Sequence, residues 1–572
     1  MDSKKMMLAK YIILLSIIFT SSLFSYEPSE HVDKDTFIYM ELSPLNYSVA
    51  KTRKLFYSLM DRENADSEWQ SMQDIFLEEY GINFLSPDDV KSHGFDIHSP
   101  LGAFINYTTI PAKNTVVYKK YFCALLPSLD PAVSYEFLLE WFRKSATSPS
   151  MSDPGQLQFR EIEKGKIFGL FSQSENPDNI FVLKTDGAIL ISDNLAFLKK
   201  PEINVSNALS RDKDFINTQK YYKKNSSHQD SIGYFFINSK KQDVRIKNNP
   251  KLLLDNILLD NVFIKELSGK SNCIAGEIKI NDRTLKLNMD YFFPDNYLSQ
   301  RESLLADALN FQKQTFFPDY MQSAPFVYIK MQSAFSDAVI KRQRLGMPAQ
   351  RTLQMLFQKL TNGIAMEIPE NLELLPKDNI SFYIKDIPAF RELNKLYKWK
   401  YYISFSYNSA YFKSFSDFMN NLEKKSLELN DLKIESSETK GKYFWKMIVT
   451  DYNKKFDRKL RQVIIQENRY NVYMLAQDSQ IIITDDEKIN TGIPGKSGTP
   501  LYEKLDPERS EKKEILFSYF NIKKLLLYFE QNTFAFPVKN FLGYLENAEN
   551  AVFKVTSDKN IISKEFILKI AR

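Results

Sequence analysis

Gly233–Lys241 reads GYFFINSKK and Leu516–Lys524 reads LFSYFNIKK, and the two segments align without a gap. Each ends in Asn-x-Lys-Lys after a run of aromatic and apolar residues. A block that recurs in this way is the sequence signature of an internal repeat. The pair therefore predicts that the chain contains one structural unit twice.

Four further pairs of segments recur in the same order along the two halves of the chain. Two of them start strands with alternating apolar residues, one ends a strand in an aspartate, and one closes each half. Under this alignment Cys123 corresponds to Ile403 and Cys273 to Ala551. The pairs are Thr36–Leu42 with Pro325–Met331, Lys120–Leu125 with Lys400–Phe405, Ser192-Asp193 with Thr484-Asp485, and Phe263–Ile280 with Phe541–Asp558.

An amphipathic helix is predicted after the second strand of each half. In the first half Asp130 is a natural N-cap and Pro131 suits the first helical position. In the second half Asn408 can act as the cap. Three- and four-residue spacing then places an apolar stripe on each helix, which we interpret as core. The stripes are Val133, Phe137, Leu138, Trp141 and Phe142 in the first, and Tyr411, Phe412, Phe415, Phe418, Met419 and Leu422 in the second.

These patterns predict an α+β fold made of two tandem, diverged copies of one domain. Strands outnumber helices and follow one another as hairpins, so we expect largely antiparallel sheets with helices packed on one face. The predicted division is a signal peptide at residues 1–25, a first domain at 26–293, a connector with a short helix at 294–324, and a second domain at 325–572.

The first 25 residues have the pattern of a secretory signal. Three lysines precede an apolar run from Tyr11 to Phe19, and small residues follow, so cleavage is expected near Ser22 or Ser25. The run is too short to cross a bilayer, which needs ~20 residues. An uncleaved N-terminal anchor is the alternative. A lipid anchor is not expected, because no cysteine stands at the cleavage point.

Three segments together resemble a bacterial exported family known as domain of unknown function 3352. They are Asp35–Met40, Gly94–Gly102, and the strand end Ile191–Asn194. The resemblance covers most of the mature sequence and implies an export signal and a mixed α/β architecture. It implies no catalytic residue.

Charge and composition give no indication of nucleic-acid binding. The chain carries a net charge of +5, and removing residues 1–25 leaves +3 spread over a long sequence. Aromatic residues make up 14% of the chain, and exposed rings could contact sugar or lipid. Their helix- and strand-like spacing favours core positions instead.

No short motif predicts a catalytic, cofactor or metal site. Gly495-Lys496-Ser497 resembles part of a phosphate loop, but position 490, where the first glycine is required, is asparagine. His93 and His98 flank Gly94, a predicted helix C-terminal residue, and without a third ligand they favour a turn over a metal site. Asp193 and Asp485 stand at equivalent strand ends, where aspartate is ordinarily a turn residue.

The two cysteines, Cys123 and Cys273, leave two possibilities open. Export to an oxidising compartment permits a disulfide between them if their Cα atoms lie within ~7 Å. Both also fall at apolar strand positions, where buried free thiols are common.

We therefore expect an exported, non-enzymatic protein, most plausibly periplasmic, with the outer surface or secretion as alternatives. It would bind a protein, lipid or glycan partner through the duplicated scaffold, without a cofactor or a transmembrane domain in the mature chain. The alternative is an exported hydrolase whose catalytic residues come from distant loops. The loops around His93–His98, Lys199–Arg211 and Asn490–Pro500, or the seam between the copies, are where a site is expected.

Overall fold

The structure is a computed structural model of the 572-residue chain. The predicted signal peptide, Asn408, the Gly495–Ser497 motif and nearly all of the connector lie outside the residues that it describes. Those residues are 28–112, 115–147, 157–172, 179–199, 207–225, 230–241, 271–281, 283–295, 325–332, 379–388, 398–406, 409–439, 441–457, 462–477, 480–491, 513–531, 545–558 and 560–571.

The chain divides into two units. The first comprises Met1–Pro294 with two short C-terminal segments, Tyr544–Asn547 and Ile567–Arg572. The second comprises Asp295–Gly543 and Ala548–Phe566. The division of the sequence at residues 293 and 325 did not anticipate that the last residues of the chain lie in the first unit.

The first unit contains an antiparallel sheet in the order β4-β5-β6-β7-β3-β2-β1-β8-β9-β10. The order brings the first strand of the unit to a position between β2 and β8, so the centre of the sheet joins residues far apart in sequence. The strands are β1 (Ile38–Leu42), β2 (Leu101–Ala112), β3 (Thr115–Pro127), β4 (Leu157–Glu163), β5 (Ile167–Ser172), β6 (Ile180–Lys184), β7 (Ala188–Ser192), β8 (Ser231–Ile237), β9 (Cys273–Asn281) and β10 (Thr284–Phe292).

The second unit has the order β14-β15-β16-β17-β13-β12-β11-β18-β19-β20, which is the first order with every number raised by ten. The antiparallel α+β class predicted from the sequence is confirmed. The strands are β11 (Val327–Gln332), β12 (Asn379–Asp386), β13 (Lys400–Ser406), β14 (Leu432–Thr439), β15 (Lys442–Asp457), β16 (Gln462–Gln477), β17 (Gln480–Thr484), β18 (Lys513–Asn521), β19 (Ala548–Asp558) and β20 (Ile561–Ile570).

Eight α-helices lie in the part of the chain that the structure describes. Six belong to the first unit and two to the second. They are α1 (Leu45–Leu59), α2 (Arg62–Tyr80), α3 (Pro87–Ser92), α4 (Pro131–Thr147), α5 (Leu195–Leu198), α6 (Lys213–Asn225), α7 (Ser409–Ser426) and α8 (Ile522–Gln531).

Helices cover both faces of the sheet in the first unit, so the prediction that they pack on one face is wrong. Neighbouring residues of a strand point to opposite faces. Ile189 of β7 packs in one cluster with Leu139 of α4. Leu190, the next residue, packs in another with Phe197 of α5 and Phe215 of α6. Because β7 is apolar at consecutive positions, each of its faces needs cover.

The predicted helix-face stripes form core in both units at the described side chains, except at Val133; the side chain of Tyr411 lies outside those that the structure describes. In α7, Phe415, Met419 and Leu422 are buried against strands β13 to β17, as the spacing predicts. In α4, Leu138 and Phe142 are buried, but Val133 is 42% exposed. Val133 lies in the first turn, where the next two residues, Ser134 and Tyr135, are the buried ones. The prediction is wrong at that position.

Helix starts follow the sequence signals closely. The Asp130 carboxylate accepts hydrogen bonds from the backbone N–H groups of Ala132 and Val133 at 3.1 and 3.2 Å. Ser86 caps α3 in the same manner, and Pro87 follows it at the first helical position. The predicted N-cap Asp130 is confirmed, and the other predicted cap, Asn408, lies outside the described residues.

The strand registers shift two of the sequence correspondences by one residue. Ser192 donates its hydroxyl to the carbonyl of Phe122, and Thr484 donates its hydroxyl to the carbonyl of Tyr401. Cys123 therefore corresponds to Tyr402, not to Ile403. By the same reasoning, Cys273 corresponds to Asn550 rather than Ala551, because Ile274 and Ala551 are opposite equivalent residues of β8 and β18. The first aligned pair, Gly233–Lys241 with Leu516–Lys524, needs no such shift, because Ile237 and Phe520 occupy the same position opposite β1 and β11.

Gly94 follows the end of α3 and packs against the start of α4, in a backbone conformation that favours glycine. Its φ is +84°, as expected for a residue after a helix C-terminus. A Cβ there would lie 2.7 Å from the carbonyl oxygen of Asp130 and 2.8 Å from the hydroxyl of Ser134. The Gly94 carbonyl also accepts hydrogen bonds from the N–H groups of Leu129 and Asp130.

Replacing Gly94 by alanine should lower the free energy of unfolding by about 2–4 kcal/mol, from left-handed strain together with the steric clash. Gly165→Ala is the matched control, because Gly165 has φ +70° and open space around its Cα. It should cost only about 1–2 kcal/mol. Urea unfolding of both variants measures the difference. Equal losses would show that the contact with α4 contributes nothing.

Candidate functional site

The strand-end aspartates predicted from the sequence occupy equivalent places in the two units. In the first, the Asp193 carboxylate accepts a hydrogen bond from the N–H of Phe122 at 2.9 Å. In the second, Asp485 accepts from the N–H of Tyr401 at 3.0 Å. Each carboxylate therefore ties the end of one strand to its neighbour in the sheet. This is the turn role that the sequence favours for aspartate at a strand end.

Asp485 also lines a polar cavity of about 340 Å³ in the second unit. The cavity lies where β12 ends and β13 begins, beside the turn that follows β17. Three lysines and three carboxylates line it, together with the rings of two buried tyrosines. The lining residues are Tyr383, Lys385, Lys400, Tyr402, Asp485, Asp486, Glu487 and Lys488.

Charged groups of this cavity are paired with one another. Lys400 Nζ lies 2.7 Å from Asp485 Oδ2, and the Tyr402 hydroxyl donates to Asp486 Oδ2 at 2.6 Å. Asp486 also accepts from the N–H of Lys488 at 3.0 Å. Asp485, Asp486 and Lys400 thus make contacts within the turn and with the neighbouring strand. The arrangement suits a polar turn and could hold a small polar molecule.

The two histidines of the His93–His98 segment do not share a site. His93 ends α3, where Nδ1 lies 2.8 Å from the carbonyl of Asp89, and its ring meets Phe137 edge-on with centroids 4.3 Å apart. Nδ1 of His98 lies 3.1 Å from the side-chain amide of Asn46. The His93 imidazole therefore takes part in a contact at the end of α3, and the His98 imidazole contacts a side chain near the start of α1.

The described residues contain neither a cluster of metal ligands nor a helix that could span a membrane. No group of three or more histidine, cysteine, aspartate or glutamate side chains in the described ranges could hold a metal ion. No helix in those same ranges is both long and apolar enough to cross a membrane. Of the loops proposed from the sequence, residues 200–206 and 492–500 lie outside the described ranges.

Both cysteines are buried free thiols. Cys123 lies on β3 and Cys273 on β9, with β2, β1 and β8 between them. Four strand spacings of ~4.8 Å separate the two strands by about 19 Å, far beyond the reach of a disulfide. The geometry therefore favours the free-thiol alternative. Burial raises the pKa of both thiols well above the ordinary value, and the Asp193 carboxylate adds to the effect at Cys123.

A feature that the sequence interpretation missed is a hairpin that projects from the second sheet. Strand β14 pairs with β15 only as far as Val449, and β17 pairs with β16 only from Tyr473. Beyond these points β15 and β16 pair with each other alone among the described strands, from Asp451 opposite Asn468 to Asp457 opposite Gln462. We call residues 451–457 and 462–468 the second-unit arm. Seven residues at ~3.3 Å each give it a length of about 23 Å.

The first unit has a comparable hairpin from a different pair of strands. Strand β1 pairs with β2 only up to Ile105, and β7 pairs with β3 only from Cys123. Residues 107–112 and 115–120, here the first-unit arm, have only each other as described strand partners. Strand length was the signal in the sequence: β15 and β16 contain 16 residues each, against a usual length of 5–6.

Comparisons with known proteins give no family. Solved structures that match parts of the chain include crystal forms III and IV of TP0453. Form III is 10% identical, with 47% of this chain and 80% of that chain covered and a TM-score of 0.21. Form IV is 12% identical, with 49% and 85% covered and a TM-score of 0.23. Likeness at these scores carries no argument about fold or function. No protein-family model and no curated protein matches the chain.

Thiol titration tests the cysteine geometry. We expect a chromogenic disulfide reagent at pH 8 to modify neither Cys123 nor Cys273 in the folded protein, because both thiols are buried and protonated. In denaturant without reductant both should react. A denatured, unreduced protein with no reactive thiol would mean that the two are bonded.

Substitution of Asp193 tests whether the carboxylate is structural. Asp193→Ala should lower the free energy of unfolding by about 1 kcal/mol, since the N–H of Phe122 loses its acceptor. Asp193→Asn retains an oxygen acceptor and should recover most of the loss. Chemical denaturation measures both variants. If the asparagine variant were as unstable as the alanine variant, the charge and not the hydrogen bond would be what stabilises this turn.

Proposed function

We propose that the chain is an exported, non-enzymatic protein that binds a partner through hairpin arms carried on a duplicated scaffold. The partner is a protein, lipid or glycan of the cell envelope. The observation that carries the proposal is the pair of arms, one in each unit, that extend past the neighbouring strands. A two-stranded ribbon contributes little to a core, so its length favours a role outside the fold.

The duplication in this proposal is supported by topology and by register. Both units have the same strand order, and all their described pairings are antiparallel. Ile38 is opposite Ile237 in the first unit, and Val327 is opposite Phe520 in the second, as the aligned blocks require. This agreement supports a duplicated scaffold, in which the arms arise from hairpins at different places in the strand order.

Export is supported by the sequence of residues 1–25, with its lysines, short apolar run and small residues. We place the mature protein in the periplasm, with the outer surface or secretion as alternatives. Family membership with domain of unknown function 3352 fits the same picture and stays a prediction.

A binding role is favoured over hydrolysis because the candidate polar side chains already make structural hydrogen bonds and ion pairs. Asp193 and Asp485 accept backbone hydrogen bonds, and Lys400 is occupied by Asp485. A hydrolase would need a base and a nucleophile within hydrogen-bond reach of each other and of a substrate. Among the described residues, the candidate groups serve turns and strand ends instead.

Shortening the arms tests the proposal. In the second unit, an Asn-Gly turn replacing Tyr452–Glu467 leaves Asp451 opposite Asn468 in a two-residue hairpin. In the first, Asn-Gly replacing Thr109–Tyr118 leaves Thr108 opposite Lys119. We expect the doubly shortened protein to keep its free energy of unfolding within about 1 kcal/mol of the parent.

Retention of envelope material is the readout. Immobilised protein of residues 26–572 is exposed to a detergent-solubilised envelope extract, and retained proteins, lipids and glycans are measured by mass spectrometry. The parent chain should enrich a component that the doubly shortened protein, equally folded, does not. Equal enrichment by both proteins would contradict binding through the arms, and no enrichment by the parent would contradict a binding function.

A further inference from the structure

The polar cavity of the second unit lies at a place that side chains fill in the first unit. There the ring of Phe197, four residues after Asp193, packs against Phe104 and Tyr121, with centroids 5.3 Å apart in each pair. The same apolar cluster contains the buried Cys123. In the first unit, the space beside this strand end is therefore part of the core.

Polar side chains stand at the same sheet positions of the second unit. The hydrogen bonds of Asp193 and Asp485 fix the correspondence, because each carboxylate accepts from the N–H at the same place in the neighbouring strand. Two tyrosine hydroxyls and a lysine appear there, an isoleucine takes the place of the packed phenylalanine, and the cavity of about 340 Å³ lies beside them. The equivalent pairs are Phe104 with Tyr383, Tyr121 with Lys400, Cys123 with Tyr402, and Phe197 with Ile489.

A β-bulge brings one more charged side chain to the cavity. In the first unit, β2 and β3 pair at the corresponding residues without a shift of register. In the second, the register of β12 and β13 shifts between Ile384 and Asp386, so that Lys385 is the extra residue. Its carbonyl accepts a hydrogen bond from Nζ of Lys524 at 3.2 Å. Bulges re-aim side chains and are common beside active sites, and Lys385 lines this cavity.

Opposite charges of the cavity lining come from different elements. Asp485, Asp486 and Glu487 follow one another in the turn after β17, whereas Lys385 and Lys400 belong to β12 and β13. With the third lysine, which follows the carboxylates in the turn, the lining has three positive and three negative groups and is balanced. A ligand with one charge of each sign keeps this balance, whereas an anion or a cation leaves one charge uncompensated.

The inner charges are fixed by contacts within the protein, and two outer charges are available to a ligand. Lys400 is held by the carboxylate of Asp485, whose side chain is only 10% exposed. The next carboxylate of the turn accepts the hydroxyl proton of a lining tyrosine. Lys385 and Glu487 are exposed, and within the described part of the chain neither has an ion-pair partner. They are the lysine and the carboxylate that can contact a bound molecule.

We propose that this cavity binds a small zwitterion, either an α-amino acid or a short peptide. Nζ of Lys385 binds the carboxylate of the ligand, and the carboxylate of Glu487 binds its ammonium group. The cavity volume lies within the range of about 300–1,000 Å³ that is typical of small-molecule sites. None of the lining residues belongs to either arm, so the proposal goes beyond the binding function proposed above and is independent of it.

A neutral sugar is the other small ligand that hydrogen-bonding side chains would fit. A sugar gains most from exposed aromatic faces on which it can stack. Tyr383 and Tyr402 are both buried, and they expose no such face. The charged residues at the mouth of the cavity would also contribute little to a neutral ligand. The lining therefore favours the zwitterion.

Calorimetric titration tests the proposal. The folded protein is titrated with alanyl-alanine, with acetyl-alanyl-alanine, which lacks the ammonium group, with alanyl-alanine amide, which lacks the carboxylate, and with glucose. We expect alanyl-alanine to bind, and each blocked dipeptide to bind about fivefold more weakly because it loses one charged contact. No binding of alanyl-alanine, or binding of glucose or of both blocked dipeptides with the same Kd, would overturn the proposal.

Charge variants locate the site. Lys385→Gln and Glu487→Gln should each raise the Kd of alanyl-alanine about fivefold, and Lys385→Gln should no longer distinguish the dipeptide from its amide. As matched controls, Lys413→Gln in α7 and Glu428→Gln after it remove exposed charges that do not line the cavity. Each control should change the Kd less than twofold. Equal losses from the controls, or a Lys385→Gln protein that still prefers the free carboxylate, would show that the cavity is not the site.

Discussion

Burial of both faces of an antiparallel sheet is the constraint on which the rest of this structure depends. In β7 of the first unit, Ile189 and Leu190 point to opposite sides and both pack in apolar clusters. This strand therefore needs helices on both sides of it. The capped start of α4 at Asp130 and the tight approach of Gly94 follow from this demand, because they bring α4 down on its face of the sheet.

The same constraint explains why the arms stand apart from the fold. Where β14 and β17 end, the pair β15 and β16 loses its sheet neighbours, and no helix packs on it in the described part of the chain. An exposed two-stranded ribbon normally invites pairing with another chain, and lysine is a common residue for preventing it. Lys454 and Lys455 of the second-unit arm are residues of this kind.

Local signals in the sequence predicted individual helices and strands well, but they predicted less well how the helices pack on the sheet. Asp130 and the stripe of α7 could be assigned because caps and helix spacing are properties of neighbouring residues. The distribution of helices over two faces could not, because alternation within a strand does not state which elements will cover it. Cys123 was aligned one residue away from Tyr402, the residue at the same sheet position of the second unit, since both strands are apolar at consecutive positions and align almost equally well after a one-residue slip.

The candidate site was the least predictable part. Asp193 and Asp485 were recognised as equivalent turn residues from the sequence alone, and their backbone contacts bear this out. The arms were missed because a strand that outgrows its neighbours is a relation between strands. No single stretch such as residues 442–457 reveals where β14 stops.

Hydrogen–deuterium exchange with and without the envelope component that the parent chain retains tests the central claim most directly, because it reports where contact occurs. Amides of residues 451–457 and 462–468 should exchange rapidly in the free protein, as expected for a ribbon without further neighbours among the described strands, and should become protected when that component is added. Amides of β11 and β17, inside the sheet, should be slow in both conditions. Protection confined to other segments, with the second-unit arm unchanged, would contradict a scaffold that makes contact through this arm.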